Sequence, residues 1–339
     1  MIKEKWSELD LIALFTEQAQ TGKTGGLLKG IGDDCAIFDN KKNRSWITTT
    51  DILIEDVHFN LSWHPPHLLG RKSIAVNLSD IAAMGGVPHY ALISIAVPDY
   101  VDKQWICKWS EGVNEILSDF KCRLIGGDTV KGPALSFNVV IIGTVAKDKA
   151  VLRSTAMPGE NIYVSGFLGS AAAGLEICRN PSLFASFKQE DLQPLIGQHL
   201  DPLPRIHLGV LLGKSDMVGA MQDLSDGIAT DLAHICLQSK VGAEIDSSLL
   251  PGDDSIEPVC QVIKKEAIKL KISGGEDFEL LFTVKKSRDK ELADLLTSAG
   301  IETIYRVGET TADREVLLLT DDDVIDITFQ GYQHRGSHV

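Results

Sequence analysis

Helical and strand patterns alternate along the whole of this 339-residue chain, and the alternation restricts its fold more than any single motif does. The pattern predicts helices over residues 67–84 and 101–120 and strands over residues 90–97 and 135–145. The second half repeats the same mixture. Chains of this kind pack helices on sheets, so we predict an α/β (α+β) fold with two domains.

The boundary between the domains is expected in the segment 146–160. This segment is charged and contains Pro158 and Gly159, which commonly end regular structure. We therefore assign residues 1–150 to an N-terminal domain and residues 151–339 to a C-terminal domain. Residues 180–204 are polar and contain prolines, and they are predicted to form an irregular excursion.

The composition is that of an ordinary globular protein, with 44% hydrophobic and 24% charged residues. The six cysteines include no C-x-x-C pair, which indicates reduced thiols and neither a disulfide framework nor a zinc site. No apolar run approaches about 18 residues, and because MIKEKWSELD has no apolar h-region we do not expect a secretory signal. We therefore expect a cytoplasmic protein that does not enter a membrane.

The formal net charge of −14 argues against nucleic acid as a partner, because a surface that binds a phosphate backbone needs positive potential. A phosphorylated small molecule remains compatible with this charge. Its phosphates would bind acidic side chains through divalent cations. The composition therefore favours a cation-dependent site.

Several aspartates stand beside glycines or at predicted strand ends and do not belong to helical charge stripes. Strands predicted over 46–51 and 121–125 would place Asp51 and Asp128 at such ends. The motifs are Gly32-Asp33-Asp34, Thr49-Thr50-Asp51, Gly126-Gly127-Asp128-Thr129 and Asp223-Leu224-Ser225-Asp226-Gly227. Mg²⁺ prefers hard oxygen ligands that it shares with substrate phosphates. Glycine lets the backbone approach phosphate closely, so the motifs indicate a magnesium site.

Asn77 and Asp80 lie three residues apart in an otherwise apolar predicted helix, SIAVNLSDIAAMG. A carboxylate buried in such a helix is costly unless something pairs with it. A metal ion would meet that need, and so would a structural partner such as Arg71.

Other motifs also have structural alternatives. Asp226 precedes a predicted helix and could be an N-cap only, and Gly-Asp pairs such as that of Asp33 are common in turns. His58 beside Phe59 could be a packed or surface residue. Arg153 could be a surface charge, although in an acidic nucleotide-binding protein it becomes a phosphate contact.

Two glycine-rich segments remain. Gly22-Lys23-Thr24 has the end of a Walker A motif, but the first glycine position of that motif is Glu17, within a helix predicted over residues 8–20. A mobile loop is the preferred interpretation. Ser273-Gly274-Gly275-Glu276-Asp277 is either a turn that lines a ligand or a tight loop with solvated acids.

The motifs IGDDCA, TTTDILIEDVHF, AVNLSDIAAMG, LIGGDT, LSDG and SGGEDFEL follow one another in this order over residues 31–281. This series resembles that of the thiamine-monophosphate kinases, in the superfamily of aminoimidazole ribonucleotide synthetase. The resemblance extends to Gly331-Tyr332 near the end of the chain. Six ordered motifs make it specific, whereas any one alone would be weak.

The resemblance implies a homodimer whose N-terminal domains form a β-barrel, with a nucleotide cleft between each N-terminal domain and its C-terminal α/β domain. The implied reaction is direct transfer of phosphate from ATP to thiamine monophosphate, assisted by several Mg²⁺ ions and forming thiamine diphosphate. It is the final step of thiamine diphosphate biosynthesis. No phosphoenzyme, catalytic cysteine or acid–base side chain is implied.

The resemblance also assigns residues. The implied metal ligands are Asp34, Thr49, Thr50, Asp51, Asp80, Asp128, Asp223 and Asp226. The implied ATP contacts are Gly127, Asp128, Arg153 and Ser225, and the implied contacts to thiamine monophosphate are His58, Glu276 and Tyr332. Asp33 matches its motif but is not placed in the ligand set, and Glu55 and Asp56 are assigned no role.

Two other functions are considered. One is an ATP-dependent synthetase of the same superfamily with another substrate. The sister families fit less well, because selenophosphate synthetases need a reactive N-terminal Cys and the first here is Cys35, while hydrogenase maturation relatives need a C-terminal Cys. The other is a non-catalytic scaffold that binds metal or nucleotide, which would be marked by loss of part of the aspartate set.

Overall fold

The structure, a computed structural model, describes residues 13–14, 16–17, 26–40, 43–301 and 303–332. Most of the helix predicted over residues 8–20, and the Gly22-Lys23-Thr24 segment, lie outside the described residues. No helix within the described ranges has the length and apolar character needed to cross a membrane.

The N-terminal domain is built on a six-stranded sheet. Its strands are β1 (Leu27–Lys29), β2 (Ala36–Asp39), β3 (Arg44–Ile54), β4 (Val87–Val97), β5 (Arg123–Lys131) and β6 (Ser136–Ala146). They are ordered β1-β2-β3-β6-β4-β5, and only the β4–β5 pair is parallel. Two helices, α1 (Pro66–Ala83) and α2 (Lys103–Asp119), cover one face of this sheet.

The C-terminal domain is built on a seven-stranded sheet, ordered β13-β12-β9-β11-β7-β10-β8. Its strands are β7 (Glu160–Val164), β8 (Val218–Asp223), β9 (Gly242–Asp246), β10 (Leu280–Lys285), β11 (Tyr305–Thr311), β12 (Val316–Leu319) and β13 (Val324–Asp326). Its helices are α3 (Ser170–Arg179), α4 (Gln189–Leu200), α5 (Ile206–Lys214), α6 (Ile228–Ser239), α7 (Ile256–Ile263), α8 (Ala267–Ser273) and α9 (Asp289–Ser298). The two-domain α/β fold predicted from the sequence is confirmed.

Helix α1 lies between the two domains and is buried along most of its length. It packs on α2 and β3 of its own domain and on α5 and β8 of the other. Helices α2 and α5 approach α1 closely because each has a glycine at the contact. A Cβ at Gly112 of α2 would lie 1.9 Å from the carbonyl oxygen of His67, and a Cβ at Gly209 of α5 would lie 2.2 Å from the carbonyl oxygen of Ala82. Helix α1 therefore carries Asn77 and Asp80 to the junction between the domains.

Three predictions about local structure were wrong. Asp51 lies inside β3 and Gly127 and Asp128 lie inside β5, because the ladders with β6 and β4 continue beyond the predicted ends. Residues 180–204 contain a helix, α4, despite Pro194 in its interior. Burial of its Leu192 and Leu195 in one core cluster with Ala173 and Ile177 of α3 compensates for the proline.

The dimeric barrel is not formed within one chain. The described N-terminal sheet is open, with β5 as one edge, and all nine residues of β5 are exposed.

Candidate active site

Three carboxylates meet at the junction between the domains. Asp34 precedes β2, Asp80 lies on α1, and Asp223 is the last residue of β8. One oxygen from each lies within 4.8 Å of the others. Asp34 and Asp223 are only 7% and 3% exposed, so the cluster is largely shielded from water.

Strand β3 contributes a fourth carboxylate to this cluster. The alternation along β3 puts Thr49 and Asp51 on the face that packs on α1, where the hydroxyl of Thr49 donates a hydrogen bond to Asp80 Oδ2. The carboxyl group of Asp51 is hydrogen bonded to that of Asp80, and its backbone N–H donates to Asn77 Oδ1 at 3.0 Å. Strand β3 thus supplies hydrogen-bond donors to Asp80 and to Asn77 Oδ1, but it supplies no positive charge to compensate the buried carboxylate of Asp80. Arg71 instead pairs with Asp201, its Nε lying 2.8 Å from Oδ1.

The cluster is electrostatically strained without a cation. Burial, followed by repulsion from Asp34, raises the pKa of Asp51 to about 6 and that of Asp223 to about 7. Burial and then the charges of Asp51 and Asp223 raise the pKa of Asp80 well above its ordinary value. Carboxylates this close cannot all be ionised at neutral pH unless positive charge is added. Their hard oxygens and spacing fit divalent cations such as Mg²⁺.

A stability measurement tests this strain. The raised pKa means that the folded protein holds protons at Asp223 which the unfolded chain has released above about pH 4, so this group destabilises the fold as pH rises through about 7. Asp223→Asn mimics the protonated form. With a chelator present, we expect its melting temperature to exceed that of the wild type by on the order of 5 °C at pH 9, and we expect this difference to shrink steadily as the pH is lowered from about 7 to about 4.

The prediction compares the melting temperatures of the variant and the wild type, because buried histidines change the stability of both proteins with pH in the opposite direction to Asp223. Burial lowers the pKa of His64 to about 3 and that of His234 to about 4, so their neutral forms add stability as pH rises. Both proteins contain them equally. Added Mg²⁺ should stabilise the wild type far more than the variant, and a difference independent of pH would contradict the assignment.

Arg153 lies beside the cluster. Its Nη2 donates to Asp34 Oδ1 at 2.5 Å, and its backbone N–H donates to Asp33 Oδ1 at 3.1 Å. Asp33 also lies 3.1 Å from Lys29 Nζ. Asp33 thus fixes the start of the short helix Arg153–Thr155, whereas Asp34 is turned toward the cluster.

Three motifs of the C-terminal domain are joined by backbone hydrogen bonds. Ser225 accepts from the N–H of Glu276, and Asp226 accepts from the N–H of Tyr332, both at 2.8 Å. A Cβ at Gly275 would lie 2.5 Å from the Ser225 carbonyl oxygen, so this contact requires glycine. Residues remote in sequence are thereby gathered beside Asp223.

The N-cap alternative for Asp226 is not supported, because Gly227 occupies the N-cap position of α6. The N–H of Asp226 instead donates at 3.1 Å to Asp231, a buried carboxylate that also accepts from Gln222. His58 lies in the turn after β3, where its Nδ1 accepts the N–H of Ile54 at 3.0 Å. This hydrogen bond leaves the ring proton on Nε2.

Glu276 has two neighbours that the sequence did not identify. Its Oε2 lies 3.1 Å from Lys72 Nζ and 3.2 Å from His199 Nδ1. A lysine within a helix that is otherwise apolar was a signal that could have been used for Lys72. Asp277, for which the sequence allowed either a ligand-lining turn or a loop with solvated acids, is buried, and its two oxygens accept the N–H groups of Gly169 and Ala171 at the start of α3.

Gly127 and Asp128 are not brought to the cluster within one chain. Asp51 is in register with Val139, Val139 with Ile93, and Ile93 with Gly127. Three strand spacings, about 14 Å along the sheet, therefore separate β5 from β3. Asp128 belongs to the next row, with Ile52, on the face of the sheet opposite to Asp51, and the side chain of Thr50 is on that face too.

The known proteins to which this chain is similar belong to a single family. Residues 32–145 match the N-terminal domain of the AIR synthase related proteins, and residues 158–319 match their C-terminal domain. The thiamine-monophosphate kinase of Escherichia coli (strain K12) is 38% identical, with 96% of this chain and 98% of that protein covered. That of Bacillus subtilis (strain 168) is 37% identical, covering 90% and 93%.

A solved structure of the same kind superposes on nearly the whole chain. It is AaThiL complexed with AMPPCP and TMP, with a TM-score of 0.83 and 29% identity, and the match covers 98% of this chain and 100% of that one.

Proposed function

Because the chain belongs to the thiamine-monophosphate kinases of the AIR synthase related family, we propose that it transfers the γ-phosphoryl group of ATP to thiamine monophosphate. The products are ADP and thiamine diphosphate. The observation that carries the proposal is the buried group of Asp34, Asp80 and Asp223, whose oxygens converge within 4.8 Å at the junction of the domains. This is the arrangement that a cation-dependent phosphotransferase needs.

Mg²⁺ is proposed at this cluster. The residues that would hold it are Asp34, Thr49, Asp51, Asp80 and Asp223, with Asp226 at the neighbouring turn. When bound, Mg²⁺ neutralises phosphate charge and lets two polyanions approach each other. We propose more than one ion, because four carboxylates meet here and a single divalent ion would neutralise two of their charges.

The reaction needs no side chain to act as a general acid or base. A phosphate oxygen of thiamine monophosphate is already an anion, so it attacks the γ-phosphorus without a general base, and the bond to the β-phosphate oxygen breaks as ADP leaves. The residues around the cluster position the two phosphates in line and exclude water. Arg153, already paired with Asp34, is proposed to contact the ATP phosphates, and Ser225 to contact ATP from the adjoining turn.

Thiamine monophosphate is proposed to contact His58, Glu276 and Tyr332. Its thiazolium ring is a cation, and a carboxylate and an aromatic face are apt neighbours for it. Support comes from the joining of the Glu276 and Tyr332 loops through the turn at Ser225 and Asp226. The Nε2–H of His58 could donate to a phosphate oxygen.

A homodimer is proposed to complete the site. Strand β5 is exposed on both faces, including Leu124, Ile125 and Val130, and such an edge normally requires a cover. Within the described part of the chain, residues 49–54 of β3 are paired with β6 on one side only, because β2 pairs with residues 45–48. We propose that two copies close an eight-stranded barrel, with β5 of each lying along this part of the other's β3.

This closure would give Gly127 and Asp128 their roles. The partner's Asp128 would then lie across the new strand pair from residues 50–52, on the face of Thr50 and one strand spacing from Asp51, where it could hold Mg²⁺ and ATP phosphate. Within one chain, about 14 Å separates the two strands.

The function is tested by a coupled assay of ADP release with thiamine monophosphate as acceptor. We expect turnover that requires both thiamine monophosphate and Mg²⁺, is abolished by EDTA, and returns when Mg²⁺ exceeds the chelator. Thiamine without its phosphate is the control acceptor. ADP release that is indifferent to thiamine monophosphate would favour another synthetase of the superfamily, and full turnover in EDTA would remove the metal from the mechanism.

A further inference from the structure

A fully buried ammonium group lies where α1 meets the C-terminal domain. Lys72 is 0% exposed, and its Nζ donates to the carbonyl oxygen of His199 at 2.8 Å and to Glu276 Oε2 at 3.1 Å. Glu276 is 28% exposed, so one end of the pair is buried and the other opens to solvent. No hydrogen bond to Glu276 Oε1 is found among the described residues.

Lys72 is the positive charge of this group. Burial, and then Lys72 itself, lower the pKa of His199, so His199 is neutral at physiological pH. The nearby His64, with a pKa of about 3, is neutral as well. Burial alone would raise the pKa of Glu276, but Lys72 and His199 outweigh it and hold the pKa far below its ordinary value. Glu276 is therefore ionised at neutral pH.

The group also connects the two halves of the site. Lys72 precedes Asp80 by eight residues on α1, about 12 Å along the helix axis. Glu276 belongs to the loop that is hydrogen bonded to Ser225. Its backbone has a φ of 68°, a left-handed conformation that is uncommon for glutamate.

We infer that Lys72 is a positioning residue for the substrate, which holds Glu276 Oε2 so that Oε1 faces the cationic ring of thiamine monophosphate. The inference rests on the proposed function and deepens it. A purely structural Lys72 would only pair with Glu276, and its loss would lower stability without changing the selectivity between the two substrates.

The test compares the Michaelis constants of both substrates in Lys72→Met, Glu276→Gln and the double variant. We expect each single variant to raise KM for thiamine monophosphate by about 10-fold, the effect of losing one charge-assisted contact, with KM for ATP changed less than about 2-fold. If Lys72 acts through Glu276, the double variant should be no worse than Glu276→Gln.

Arg205→Met is the matched control. Arg205 forms the other ion pair of this segment, with its Nε 2.7 Å from Glu279 Oε2, only three residues beyond Glu276. Its loss should lower the melting temperature while leaving KM for thiamine monophosphate unchanged. Should Lys72→Met fail to fold, Lys72→Arg decides instead, because it keeps a positive charge but cannot place it at the same point beside Glu276 Oε2. A raised KM for thiamine monophosphate in Lys72→Arg would support the inference, and a normal one would overturn it.

The outcomes separate the two proposals. An unchanged KM for thiamine monophosphate in Glu276→Gln would remove Glu276 from the substrate site and so contradict the proposed function there. A raised KM in Glu276→Gln with a normal KM in Lys72→Met would overturn the role of Lys72 alone. A double variant far worse than Glu276→Gln would show that Lys72 acts independently, which also overturns it.

Discussion

Asp80→Asn is expected to lose on the order of 10²–10³ in kcat while folding as well as the wild type. Asp80 is the centre of the cluster: it receives the hydroxyl of Thr49, is hydrogen bonded to Asp51, and lies near Asp34 and Asp223. Asparagine has nearly the same shape and still accepts from Thr49, but it withdraws the charge that a cation needs. Steady-state kinetics at saturating ATP and Mg²⁺ measure the loss.

The same substitution should relieve repulsion between the carboxylates, so we expect Asp80→Asn to lose turnover without losing stability. Because the pKa of Asp80 is raised well above its ordinary value, its ionised form opposes folding when no cation is present. In EDTA at pH 8 the variant should therefore melt no lower than the wild type. Asp294→Asn, on the exposed side of α9, is the control and should change neither quantity. A variant that is inactive because it is unfolded, or one with normal kcat, would contradict the assignment.

The sequence was most informative where a motif is local. The helix predicted over residues 67–84 is α1 within one residue at each end, and Asp34, Asp80 and Asp223 were named before any contact was known. A carboxylate beside glycine in a short motif can be identified as a candidate ligand from its immediate neighbours in the sequence. A lone acid in an apolar helix is costly enough to be noticed without a structure.

The sequence was least informative where a role depends on a distant partner. The role of Lys72 depends on its contacts with His199 and Glu276, which lie 127 and 204 residues further along the chain. Asp277 looked like a ligand-lining acid, but the helix it caps begins more than 100 residues earlier. No local pattern encodes such pairings, because they arise from the packing of one domain on the other.

The ends of β3 and β5 were also predicted wrongly. Asp51 and Asp128 were both predicted at strand ends, yet each lies within a strand, and the register places β5 three strands from β3. The strand was predicted to end before Gly126-Gly127, whereas at this exposed sheet edge glycine allows the strand to continue close to the backbone of β4. This correction leads to the strongest test of the dimer.

A heterodimer of an Asp51→Asn copy and an Asp128→Asn copy is expected to recover about half of the wild-type turnover. Each homodimeric variant should be nearly inactive, since either substitution damages both of its sites. In the heterodimer, the cluster of the Asp128→Asn copy keeps its own Asp51 and receives an intact Asp128 from the partner. That site is whole, and the other site carries both defects.

The two copies can be expressed together with different affinity tags and purified through both. The matched control is a heterodimer of Asp51→Asn and Asp80→Asn, two residues of one cluster in one chain, joined through the Asp51–Asp80 hydrogen bond. Here every site carries one defect, so turnover should stay as low as in the parent variants. If Asp128 instead served the cluster of its own chain, the first heterodimer would behave like this control. Recovery in the first pair and none in the second would require that β5 crosses to the other subunit, because only an exchange of Asp128 between chains rebuilds an intact site from two defective ones.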